Sequence, residues 1–114
     1  MRGVLVDTSF WYAFIDASDG LHARARKIWT AETLPRFITT PCLAELVTLL
    51  SSHAGAEPAA RVWEEMRNGL HATVVEVAAD DELMGRALLR KFAGRRLSYA
   101  DVTACAIARR LDFP

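Results

Sequence analysis

Few residues in this sequence could form a site of a familiar compact kind. Cysteine is nearly absent: Cys42 and Cys105 cannot build a disulfide framework, and they fit a reducing compartment. The three histidines, His22, His53 and His71, stand far apart, with no partner at helical metal spacing and no cysteine close by, which argues against zinc. Neither Ser9 nor Cys42 has an obvious histidine partner, so nucleophilic triad chemistry has no support. The six glycines lie before a strand, at turns or singly in a helix, and none forms a phosphate-cradling loop. No apolar run approaches the eighteen or so residues of a membrane span, and Val4–Val6 is too short for a secretory signal. A soluble, cytoplasmic protein without membrane contact is therefore the expectation. An excess of one charge is missing too. Fourteen basic residues balance fourteen acidic ones, so any polyanionic partner has to be held by a local patch.

What is present is an ordinary globular balance, 52% hydrophobic and 25% charged over 114 residues, enough for one packed core. There is no repeat, linker or low-complexity tract, so a single domain is expected over 1–114. Val4 to Asp7 is a short apolar run closed by a carboxylate and reads as a buried strand. Phe10, Trp11 and Phe14 follow at helical spacing, and residues 16–20 break that helix with turn formers. The next helix covers His22 to Ala31 with Ile28 and Trp29 inward. Arg36 to Thr39 is a strand, and Thr40-Pro41 caps a helix running to about His53. Gly55 ends it, Glu57-Pro58 opens another helix, and Asn68-Gly69 stops that one. Ala72 to Val77 is the third strand. Asp80, Asp81 and Glu82 place negative charge where a helix dipole favours it. Ser98 begins a last helix reaching Leu111. Strands separated by helices give a three-layer α/β/α fold around a parallel sheet, whose sites lie beyond the carboxyl ends of the strands.

Asp7, Glu45 and Asp101 all fall where such a sheet edge meets helix starts. Gathered carboxylates repel one another unless a cation neutralises them, and Mg²⁺ or Mn²⁺ suits oxygen-only surroundings. Such an ion lowers the pKa of a water and stabilises phosphoryl charge, which phosphodiester hydrolysis requires. Each acid also has a purely local explanation. Asp7 can be a helix N-cap, Ser98-x-x-Asp101 has the form of a capping box, and Glu45 can be a solvated residue near a helix start.

The stretches VLVDTSFWYAF, TTPCLAELVTLL and RRLSYADVTACAIARRL, taken together, resemble the acidic motifs of the PIN-domain nucleases. Among these the chain looks most like the VapC-type toxin ribonucleases of bacterial toxin–antitoxin pairs, from about Val4 to Leu111. The resemblance implies a Mg²⁺- or Mn²⁺-dependent endoribonuclease with Asp7, Glu45 and Asp101 as catalytic metal ligands. Thr8 or Ser9, with Ser9 favoured, would match the small hydroxyl residue that follows the first acid. It further implies in-line hydrolysis leaving a 5′-phosphate and a 3′-hydroxyl, a homodimer, and a cognate antitoxin occupying the active-site groove. One departure stands out. The family carries a further acid after a final strand, and this sequence stops before that strand; Asp112 falls in a helix-ending turn and is not given the role.

Arg24, Arg26 and Lys27 on one helix, and Lys91, Arg95 and Arg96 before the last, are candidates for RNA phosphates, although charge runs of this kind are usually solvated helix faces. The second set leads directly to Asp101. Trp29 and Trp63 read as packing anchors, Cys42 and Cys105 as small core residues, and Trp11 or Tyr12 as partly exposed if the first helix borders a dimer interface. Two rival functions go with the same fold. One is a cleavage-dead module that binds a partner protein; the other is a metal-dependent phosphoesterase or DNA nuclease.

Overall fold

The computed structural model describes residues 3–113; Met1, Arg2 and Pro114, which the expected span of 1–114 includes, lie outside the described residues. Three short strands, β1 (Val4–Leu5), β2 (Arg36–Thr39) and β3 (Thr73–Val75), form a parallel sheet in the order β1-β2-β3. β2 is central, and its Phe37, Ile38 and Thr39 are buried, as a strand covered on both faces requires. Its register sets Leu5 beside Phe37 on one side and Thr39 beside Val75 on the other. Helices α1 (Thr8–Ile15) and α2 (His22–Ala31) join β1 to β2, and α3 (Thr40–Ala54) and α4 (Ala56–Arg67) join β2 to β3. After β3 come α5 (Ala79–Lys91), a 3₁₀ turn at Ala93–Arg95 and α6 (Tyr99–Arg110). The parallel three-strand sheet with six helices is the expected three-layer α/β arrangement.

Local chemistry explains the boundaries. The Thr39 hydroxyl accepts the Cys42 amide, so the cap of α3 is Thr39 rather than Thr40, with Pro41 in the first turn where no amide is needed. Gly55, at φ 102°, ends α3 and starts α4 in a conformation that side chains resist. A different constraint acts at Gly3. A methyl group there would meet the Phe37 ring and lie 3.0 Å from Phe113 Cζ, so glycine lets the chain enter β1 against two aromatic rings.

One core cluster joins four helices, α1, α3, α4 and α6, to the sheet. Trp11 of α1, Cys42, Leu43 and Leu46 of α3, Ala100 of α6 and Ile38 of β2 are all buried in it. Around Trp11 the rings of Phe10, Phe14 and Trp29 pack together, and the Arg36 guanidinium lies 3.7 Å from the centre of Trp29.

Four expectations about packing are corrected or narrowed. Of Trp11 and Tyr12, only Tyr12 is partly exposed; Trp11 is fully buried, because the aromatic cluster closes over it. Trp63 is 52% exposed and Ile28 is 49% exposed, each on a helix whose inward face is supplied by other residues: Ala59 and Met66 on α4, Ala25 on α2. Cys105 is exposed, since Ala106 and Ile107 take the buried face of α6.

Candidate active site

Asp7 stands two residues beyond the end of β1 in extended conformation, φ −70° and ψ 155°, which turns the chain into α1. Its Oδ2 accepts the Ser9 amide at 3.1 Å and the Ser9 hydroxyl at 2.5 Å, so it is the N-cap of α1. The next residue, Thr8, is buried, and its hydroxyl donates to Glu45 Oε1 at 2.9 Å across 37 residues of sequence. That bond fixes the start of α1 against the second turn of α3. Glu45 itself is exposed, flanked by Ala44, Thr48 and Leu49 around a shallow concavity. The first two acids are thus joined through Thr8.

Asp101 begins α6 as the acidic member of a capping box: its Oδ2 accepts the Ser98 amide at 2.9 Å and its own amide donates to the Ser98 hydroxyl at 3.0 Å. The adjacent Ala100 sits in the core cluster with Leu46, so the start of α6 is seated on the same core as α3.

All three acids therefore share one design. One carboxylate oxygen is held by an amide or hydroxyl, and no hydrogen bond or ion pair among the described residues engages the other. All three are exposed, and among the described residues no lysine or arginine neutralises any of them. Chemically this is an oxygen-only donor set suited to a hard divalent cation. In position the set is open: among the described residues no three His, Cys, Asp or Glu side chains stand close enough to hold one ion. Asp7 and Glu45 are brought into one local arrangement by Thr8, and Asp101 joins them through the core rather than by contact.

The expectation for the hydroxyl residues is refined. Ser9 does touch an acid, Asp7, while Thr8 reaches the other, Glu45, so both are engaged. Sequence inspection missed a further carboxylate. Asp81, taken as dipole charge, is 2% exposed and holds Arg110 through two bonds of 2.9 Å while accepting the Ala78 amide at 2.8 Å. The Arg110 hydrogen bonds, more than burial opposes them, hold its carboxyl below the usual range. The only signal was an arginine in the last turn of α6, too far along the chain to pair by spacing.

The parallel sheet thus leads from β1 to Asp7 at the start of α1, with Glu45 and Asp101 in the opening turns of α3 and α6, an α/β nuclease-like arrangement. The comparisons with known proteins agree. The PIN domain matches residues 4–114, and the chain belongs to the PIN-domain family. Two relatives from two strains of Mycobacterium tuberculosis, both named 23S rRNA-specific endonuclease VapC20, are 31% identical over 107 residues, 94% of this chain and 81% of each relative. The crystal structure of Mycobacterium tuberculosis VapC20, described as a sarcin–ricin-loop-cleaving toxin, superposes with a TM-score of 0.87 at 29% identity, covering 99% of this chain and 85% of that one. The family is one of nucleases, and the chain is a hydrolase of the ribonuclease type. Among the described residues no helix is long and apolar enough to cross a membrane.

Proposed function

We propose that this protein is a Mg²⁺- or Mn²⁺-dependent endoribonuclease that cuts structured RNA, acting as the toxin of a toxin–antitoxin pair. Asp7, Glu45 and Asp101 are its metal ligands. The observation that carries the reading is the common state of these acids: each has one oxygen immobilised by an amide or hydroxyl and, among the described residues, the other uncommitted and no cation paired with it. The similarity to an rRNA-cleaving toxin supports RNA as the substrate.

The chain's own residues do most of the organising. Ser9 locks the Asp7 carboxylate by two donors and so fixes which oxygen faces outward. Thr8 does the same for Glu45 and ties the two helices together. Ser98 fixes Asp101 at the start of α6, where the helix dipole favours its charge. A divalent ion bound there supplies a water of lowered pKa and compensates charge on the phosphoryl oxygens. No side-chain base is then needed. The protein acts in the cytoplasm as a homodimer paired with a cognate antitoxin; exposed apolar side chains such as Trp63 and Leu70 support protein partners.

The test is cleavage of a labelled structured RNA, with single-stranded DNA of matched sequence alongside, in Mg²⁺, in Mn²⁺ and in EDTA. Asp7→Asn keeps an N-cap of equal quality, so its thermal melting should match the parent while cleavage is abolished. Asp101→Asn should likewise stop cleavage. Normal cutting by either variant, or cutting in EDTA, overturns the metal assignment; preferential cutting of DNA overturns the substrate. One observation favours the partner-binding module instead, namely that the three acids do not stand as one ligand group. A folded protein that neither binds divalent ions nor cuts would establish that reading.

A further inference from the structure

Between α5 and α6 the charge distribution departs sharply from the balance of the whole chain. Residues 86–96 carry Arg86, Arg90, Lys91, Arg95 and Arg96 and no acid, in a protein of zero formal net charge. None of these five forms an ion pair among the described residues, and all are exposed. The acids of α5 lie in its first turn, and Glu82 is about 15 Å along the helix axis from Phe92. In the middle of the cations stands an aromatic ring. Phe92, at the C-cap of α5, is 37% exposed, with Lys91 Nζ 5.5 Å and the Arg95 guanidinium carbon 5.8 Å from the ring centre.

The segment is also shaped. The Phe92 amide ends α5 on Leu88 O, the Arg95 amide returns to Phe92 O, and Arg96 takes a left-handed conformation, φ 51°, before the chain enters Ser98 and Asp101. Asp101 lies five positions after Arg96, so their Cα atoms lie within about 18 Å. An exposed ring flanked by unpaired cations is the combination that holds an unstacked base together with its phosphates.

We propose that Phe92, with Lys91, Arg95 and Arg96, is a nucleotide-stacking platform that seats an unpaired base of the RNA next to the cleavage site. Phe92 supplies the ring face, and the three cations take the flanking phosphates. These are positioning residues rather than catalytic ones, and the proposal rests on the ribonuclease reading above.

The test uses the full chain and two labelled RNAs, a hairpin with an unpaired loop and a fully paired duplex of the same length, under steady-state cleavage in Mg²⁺. Phe92→Ala should raise KM for the hairpin roughly five- to a hundredfold with kcat nearly unchanged, and leave the duplex unaffected. Phe92→Trp should restore the parental KM. Arg96→Asn keeps a residue that tolerates the left-handed turn, and Arg95→Gln keeps the length; each should lower the slope of log KM against log salt by about 0.7. Unchanged KM and salt slope in these variants, with the parent cutting the hairpin, overturn the platform alone. A parent that cuts neither RNA overturns the ribonuclease reading and the platform with it.

Discussion

Removing the Arg110 guanidinium strands a buried charge, and the structure lets the cost be worked out. The Asp81 carboxylate accepts three hydrogen bonds, one from the Ala78 amide and two from Arg110, and its side chain is 2% exposed while that of Arg110 is 39% exposed. Breaking a buried pair from one side costs about 3–5 kcal/mol, and because water reaches the arginine the lower end applies, ~3 kcal/mol for Arg110→Ala. Asp81→Ala differs in kind. It leaves an arginine that can turn to solvent and removes the bond to the Ala78 amide, for a cost of roughly 2 kcal/mol. The double variant strands nothing and should match Asp81→Ala, making it more stable than Arg110→Ala alone by about 1 kcal/mol. At about 4 °C per kcal/mol, melting temperatures should fall by ~12 °C for Arg110→Ala and ~8 °C for the other two. Acid adds a second signature. The Asp81 pKa is lowered on folding, chiefly by the Arg110 hydrogen bonds, so its contribution is present above the unfolded value of about 3.9 and is lost as pH falls through the lower folded value. The difference between parent and Arg110→Ala should therefore shrink below about pH 4. Thermal unfolding followed by circular dichroism reads all of this. Strict additivity of the two single changes, or an Arg110→Ala variant within about 0.5 kcal/mol of the parent, would refute the clamp.

Thr8→Val keeps the shape of a buried side chain but deletes the hydroxyl that holds Glu45, so cleavage of structured RNA should drop about tenfold while Thr8→Ser retains most of it; equal rates in all three would show that Glu45 needs no such support. Gly3→Ala forces a methyl group against the Phe37 and Phe113 rings and should destabilise by about 1–3 kcal/mol in urea, with an unaltered midpoint showing that the entry to β1 is looser than the contacts imply.

Helix boundaries were the most legible part of this fold because caps act locally. Asp7, Ser98, Gly55 and Gly69 each mark an end through their own backbone chemistry, and the structure has them at those ends. Strands were legible in position but came out shorter: Ala72–Val77 contributes only Thr73–Val75, because β2 offers just three residues of pairing to that edge. Helix faces were less legible. Periodicity gives a direction for Ile28, Trp63 and Cys105 but not which neighbour lies there, and each faces solvent. The Asp81–Arg110 pair was invisible for the same reason, its partners being 29 residues apart and joined only by how α5 lies on α6.

The acids posed a harder question, since capping and metal binding predict the same residue types at the same places. Asp7 is an N-cap and Asp101 completes a capping box, as the local explanation requires. Capping nevertheless occupies only Oδ2 of each, and a carboxylate has a second oxygen with its own lone pairs. The cap also orders that second oxygen, because a side chain pinned by an amide cannot rotate freely. Glu45, which caps nothing, receives the equivalent restraint from Thr8 instead. Under the proposed function, local and functional explanations become one mechanism seen from two ends: the helix starts that need a carboxylate would also hold its free oxygen still for an ion. It follows that removing a carboxylate by alanine confounds folding with chemistry, whereas asparagine at position 7 or 101 separates them, keeping a side-chain acceptor for the amide while taking away the charge an ion needs.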